Sequence, residues 1–191
     1  MTSRRGRVTG RARRGLVAIL GTWLLLGCGA ASTLTTAPQG GTTTGPTGPT
    51  GPTQLAHVTR ITDGDTIRVD IQGTEYRLRY IGMDTPESVK PGTPVEPYAK
   101  AAAARNAALV ADRDVILEKD VSETDRYGRL LRYVWLHHGD AWLMANMELV
   151  RTGYAQVLTY PPDVKYASEF VNAERAARDA GLGLWAPDTS P

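Results

Sequence analysis

The chain has 191 residues, 22 basic and 20 acidic side chains for a net charge of +2, and a single cysteine, which excludes an internal disulfide. Six of the basic residues, Arg4, Arg5, Arg7, Arg11, Arg13 and Arg14, precede an apolar run at 16–26 that is too short and wrongly flanked for a stable transmembrane helix, so 1–27 reads as a secretory signal. Without those six arginines, 16 basic side chains face 20 acidic ones, a net of −4. Broad electrostatic attraction to a polyanion is thereby excluded, and any such ligand must be held by a local arginine cluster or by a metal.

The leader ends in Leu25-Leu26-Gly27-Cys28. This resembles the bacterial lipobox, which implies cleavage before Cys28 and lipidation of that residue, and so export and anchorage to the cell membrane. The paired arginines Arg4-Arg5 and Arg13-Arg14 leave both general and twin-arginine export open. From 28 to 54 the chain is rich in Thr, Gly and Pro and carries no charge, with Gly45-Pro46-Thr47 repeated from Gly48 and Gly51. Such a composition buries no core and predicts a flexible to semi-extended tether.

Residues 55–191 are long enough for one compact domain. Strands are expected at 57–61, at 66–71, where apolar and polar residues alternate, and at 75–81, joined by an Asp-Gly turn and by Gln72-Gly73 into a meander. Prolines break 88–97. An alanine-rich helix follows at 98–111, with Ala99, Ala102, Ala103, Asn106 and Val110 on helical spacing. A fourth strand is expected at 114–118 and a fifth at 129–136, closed by His138-Gly139-Asp140. Further helices are expected at 141–151, stopped by Gly153, and at 165–180, stopped by Gly181. Five short strands interrupted by one helix and followed by two predict an α+β fold: a five-stranded OB-fold-like β-barrel capped by three α-helices.

Two carboxylates stand in Asp63-Gly64-Asp65-Thr66, and two more in Asp84-Thr85-Pro86-Glu87, at the end of a strand carrying Arg79. Asp65 and Asp84 belong to one meander and can converge at one rim, where hard oxygen ligands suit Ca²⁺. Taken alone, Asp-Gly is as well explained as an Asx turn and Asp-Thr-Pro-Glu as a helix start. Arg79, facing away from Leu78 and Tyr80, and Arg129 in Asp125-Arg126-Tyr127-Gly128-Arg129 add forks that match phosphate. Singly, each arginine reads as a surface ion-pair partner. Together with carboxylates for a cation and one for a base, they are the groups that phosphodiester hydrolysis needs.

The segments 61–66, 79–87 and 125–129, with Gly181-Leu182-Gly183-Leu184-Trp185 near the end, resemble in order and spacing the signature segments of the staphylococcal-nuclease-like (thermonuclease) family. The resemblance spans nearly all of 55–185. It implies a hydrolase that cuts DNA and RNA to 3′-phosphate ends, acting as a monomer with Ca²⁺ as cofactor. Asp65 and Asp84 would ligate the ion through their carboxylates and Thr85 through its carbonyl, with Asp63 supporting them. Glu87 would be the general base, Arg79 and Arg129 would bind the scissile phosphate, and Tyr127 would lie along the nucleotide. The family often has two tyrosines after the second helix; here only Tyr160 is available. A non-catalytic OB-type binding module is the competing expectation. His137 and His138, at a hairpin turn without a third ligand, do not make a metal motif.

Overall fold

The computed structural model describes residues 45–86 and 98–187. Eight strands and three helices are present among them: β1 (Thr53–Ile61), β2 (Thr66–Ile71), β3 (Thr74–Tyr80), β4 (Gly82–Asp84), α1 (Ala99–Val110), β5 (Asp114–Glu118), β6 (Leu130–His138), β7 (Ala141–Met144), α2 (Ala145–Arg151), β8 (Gln156–Leu158) and α3 (Ala167–Asp179), with a short 3₁₀ turn at Gly183–Trp185. None of the described helices is long and apolar enough to cross a membrane.

The barrel is closed by one unusual seam. Strands β3, β2, β1, β5 and β6 pair antiparallel in that order, and β6 then returns to β3 in parallel, Leu78 opposite Leu130 and Tyr80 opposite Arg132. Closure leaves the five-strand sheet with no free edge along that seam. Alternate residues Ile67, Val69, Leu78, Tyr80, Val115 and Leu117 fill the interior. The expected α+β architecture, a five-stranded OB-type barrel with three helices, is what forms.

Three local expectations are corrected. The stretch 141–151, expected as one helix, begins as β7, with Trp142 opposite His137 and Leu143 opposite Leu136. Gly139, at φ 61, turns the chain back on β6, and the ladder hydrogen bonds then override the helical preference until Ala145. The strand expected at 75–81 stops at Tyr80; residues 82–84 form β4, which pairs with β8, Asp84 opposite Gln156. Finally, the end of the segment read as tether lies on the domain. Backbone N–H groups of Thr50 and Gly51 donate to Glu118 Oε1 at 2.9 and 2.7 Å, and β1 already begins at Thr53. Two glycines of the three-residue repeat are closely approached: a Cβ at Gly48 would lie 2.8 Å from the Trp142 ring, and one at Gly51 2.3 Å from Lys165 Nζ. Composition alone does not register backbone donors that meet a buried carboxylate.

Glu118 is the acceptor that organises this corner. It is fully buried, and besides Thr50 and Gly51 it takes hydrogen bonds from Trp135 Nε1 at 2.8 Å, Lys165 Nζ at 2.9 Å and Tyr166 Oη at 3.0 Å. Burial pushes its carboxyl up, but the Lys165 ammonium and the other donors outweigh it and hold it below the ordinary value.

The C-terminal turn is seated by close backbone approach. Leu184 N donates to Gly153 O at 2.8 Å, and a Cβ on Gly153, whose φ is 77, would come within 2.2 Å of Leu182 O. Only glycine fits both the conformation and the space.

Candidate active site

Asp65 closes the tight turn between β1 and β2, where Gly64 N donates to Asp63 Oδ1 at 2.8 Å and Asn106 of α1 donates to the Asp63 carbonyl at 3.0 Å. The turn is therefore pinned from both sides. Asp65 is 2% exposed and its four lone-pair positions are filled. Oδ1 accepts from Arg79 Nη1 at 2.6 Å and Thr66 Oγ1 at 2.9 Å; Oδ2 accepts from Thr85 N at 3.1 Å and Thr85 Oγ1 at 3.0 Å. Burial pushes the Asp65 carboxyl up, against the pull of Arg79 and of the Thr85 and Thr66 donors.

Arg79 is the bridge. Its Nη2 donates to Asp84 Oδ1, so one guanidinium spans the two carboxylates, whose positions come from separate elements, the β1–β2 turn and β4. The expected convergence of Asp65, Asp84 and Thr85 at one rim is present, with Asp63 in the same turn. Glu87 and Cys28 lie outside the described residues.

Arg129 reaches the site from the far side of the β3–β6 seam. A turn from Asp125 to Arg129, with Gly128 at φ 74, is tied by Asp125 Oδ1, which accepts from Tyr127 N at 2.9 Å and Arg129 N at 3.0 Å. Asp125 Oδ2 accepts from Arg129 Nε at 2.6 Å, which fixes the guanidinium plane and leaves both terminal Nη atoms without a hydrogen-bond partner among the described residues. Burial pushes the Asp125 carboxyl up, but Arg129, through its N–H and its side chain, together with Tyr127 N–H, holds it below the ordinary range.

Arg79, Arg129, Tyr127 and Tyr160 line a single cleft of about 680 Å³, together with Leu131 and Leu158. Tyr127 is 64% exposed and lies under two cations, with Arg126 4.8 Å and Arg129 5.5 Å from its ring centroid; Tyr160 is 77% exposed. Two arginines and two exposed tyrosines around one cleft suit an anion that carries a flat ring.

The donor chemistry also suits a hard cation. Asp84 Oδ2 has no partner among the described residues, Asp65 beside it is buried, and both carboxylates already share one positive charge. Among the described residues no group of three or more His, Cys, Asp or Glu side chains could hold a metal ion; Asp84 Oδ2 is the open carboxylate oxygen, and Asp65 would ligate an ion only in place of one of the donors that now fill its oxygens.

Sequence reasoning missed two positioning groups. Asn106, fully buried, holds the Asp63 carbonyl and accepts from Tyr80 Oη at 2.9 Å; its signal was an amide on the apolar stripe of a helix. Asp125, three residues after a serine and on a turn, gave no signal beyond the motif that contains it. His137 stacks on Trp142 with ring centroids 3.8 Å apart, while Trp135 is core and Trp185 lies under Arg178.

A barrel that presents two arginines at one cleft, one of them bridging a pair of carboxylates behind it, defines a phosphodiester hydrolase of the nuclease class. Comparison with known proteins narrows the class. The model of the staphylococcal nuclease homologue family matches residues 77–187. The thermonuclease of Staphylococcus intermedius is 44% identical over 128 residues, covering 67% of this chain and 74% of that protein. The thermonuclease of Staphylococcus hyicus is 42% identical over 132 residues, 69% and 76% of the two chains, and endonuclease YncB of Bacillus subtilis is 38% identical over 136, 69% and 63%. The chain belongs to the staphylococcal nuclease family.

Proposed function

We propose that this nuclease is calcium-dependent, hydrolyses DNA and RNA to 3′-phosphate ends, and works outside the cell on a lipid anchor at Cys28. The observation that carries the catalytic part is the single cleft lined by both Arg79 and Arg129, with Arg79 also tied to the Asp65 and Asp84 carboxylates. The named relatives, thermonucleases and an endonuclease, support the same reading.

Asp65 and Asp84 through their carboxylates, and Thr85 through its carbonyl, would hold Ca²⁺. When bound, the ion supplies Lewis-acid polarisation of a phosphoryl oxygen and a more acidic water. The remaining chemistry belongs to the chain. Arg129, clamped at Nε by Asp125, offers both terminal nitrogens to the phosphate as a bidentate donor. Arg79 keeps its Nε–H for the same phosphate while its two terminal nitrogens hold the carboxylates. Both guanidinium groups stay charged at any working pH and face charge that grows as the phosphorus becomes five-coordinate. Glu87 takes the proton of the attacking water, the role implied by the Asp-Thr-Pro-Glu segment. Tyr127 and Tyr160 give the nucleotide a face to lie on, without the second tyrosine that relatives often place after the second helix.

The test is plasmid DNA incubated with the full chain in calcium and then in a calcium chelator. Nicking that stops on chelation, with 3′-phosphate ends, is expected. No nicking in calcium, or equal nicking after chelation, refutes the reading and returns the barrel to a binding role.

A further inference from the structure

The outer face of β1–β3 carries a row of arginines that the catalytic chemistry does not use. Arg60 stands directly opposite Arg68 in the β1–β2 ladder, and Arg68 directly opposite Arg77 in the β2–β3 ladder. Residues paired in this way share a face of the sheet. Leu78 and Tyr80 are buried inside the barrel, so Arg77 faces outward, and so does Arg79 two residues further along the same strand. The row Arg60, Arg68, Arg77 therefore turns along β3 and ends at the arginine of the active site.

Like charges placed directly opposite one another weaken a sheet. Compensation here is thin. Glu75 bonds Arg68 at 2.5 Å and lies within electrostatic reach of Arg60, while Asp70 Oδ1 accepts from Gly73 N in the turn that follows β2. Arg77 is exposed and has no hydrogen bond or ion pair among the described residues. A solvated face of ordinary make-up intersperses its signs; this one places three arginines side by side in a chain whose part beyond the leader is net acidic. Neighbours across strands lie about 5 Å apart and alternate residues along a strand about 7 Å, steps commensurate with successive phosphates of an extended strand.

We propose that Arg60, Arg68 and Arg77 are a backbone-binding track for single-stranded nucleic acid, holding phosphates that flank the one cut at Arg79. The proposal rests on the nuclease reading and extends it to polymer length: long strands bind better than short ones, through contacts that carry no base preference.

The experiment uses the full chain and a fluorescent 16-nucleotide single strand in a calcium chelator, which prevents cutting, with anisotropy read across a salt series. Each phosphate contact on a single strand contributes about 0.7 to the slope of log affinity against log salt, so Arg60→Gln/Arg77→Gln lowers the slope by about 1.4 and weakens binding at low salt about tenfold. Arg175→Gln, which removes one arginine charge from an exposed position on α3, leaves both unchanged. Turnover of a mononucleotide nitrophenyl ester in calcium, which has no flanking phosphates, also stays unchanged in the double variant. A wild-type slope and affinity in the double variant overturns the track. Weaker binding to anionic lipid vesicles with unchanged DNA binding also overturns it, assigning the row to the membrane surface. If the double variant does not fold, Arg77→Gln alone, which breaks no ion pair among the described residues, gives half the slope change. Failure of the wild type to turn over the ester refutes the nuclease reading separately, since the salt slope is read without catalysis.

Discussion

Removing the acceptor at Glu118 should destabilise the domain severely and uncouple the Gly-Pro-Thr segment from it. Glu118→Ala leaves Trp135 Nε1, a fully buried indole, and Tyr166 Oη without their partner, and it removes the counter-charge of Lys165. A buried donor left unmade costs about 1–3 kcal/mol, and breaking a buried ion pair from one side about 3–5 kcal/mol. Water reaching the partly exposed Lys165 relieves part of this, so the expected loss is about 3–5 kcal/mol, a large share of the roughly 5–15 kcal/mol of a typical domain. Deleting 45–51 from the otherwise intact chain removes the Thr50 and Gly51 donors to Glu118 and the Thr50 Oγ1 contact with Tyr166 Oη, and should cost about 3 kcal/mol, at about 1 kcal/mol per hydrogen bond. Two of those bonds end on Glu118, so in the Glu118→Ala background the deletion should cost only about 1 kcal/mol. Urea unfolding followed by tryptophan fluorescence measures all four states of this cycle. A loss below about 1 kcal/mol for Glu118→Ala, or a deletion cost equal in both backgrounds, would show that the segment is not held by this carboxylate.

The same carboxylate predicts acid sensitivity. Its folded value is depressed below the ordinary 4.5, so its contribution is fully present above pH 4.5 and is lost as pH falls through the lower folded value. Glu118→Gln should flatten stability against pH below 4.5; an unchanged acid limb excludes this source. At the active site, Glu87→Gln should lower kcat by about two to four powers of ten with little change in nucleotide affinity, measured by single-turnover cleavage and by binding in parallel. Asp125→Asn should lower kcat about tenfold by loosening Arg129, with melting temperature little changed; a KM effect alone would mean that Arg129 is not positioned through that bond. Cys28→Ala should move the protein from the membrane fraction to the soluble one on cell fractionation, and unchanged retention would refute lipidation there.

Much of the site was legible because its parts are local. Asp63-Gly64-Asp65-Thr66 is a turn followed by a strand, and period-two alternation puts Arg79 on the opposite face from Leu78 and Tyr80; both are properties of a few consecutive residues. Asn106 was less legible, since a buried amide on an alanine-rich helix reads as a tolerated polar residue until the turn that it bonds is in place. The expected helix at 141–151 failed at its first four residues because its propensity was judged without the partner strand.

Sequence by itself determined the charge balance, the order of the motifs and the α+β barrel, because each follows from composition or from spacing within one element. Tertiary structure alone decided which of those groups meet. Asp84 is positioned by β4 against β8, more than seventy residues away, and Arg129 joins Arg79 in one cleft through the parallel β3–β6 seam. The Gly-Pro-Thr repeat shows the same limit from the other side: nothing in its residues requires a bound conformation, and only the buried Glu118, at the end of β5, converts it from tether into part of the domain. Pairing between distant strands and satisfaction of buried polar groups are properties of the whole chain, and no local pattern encodes them.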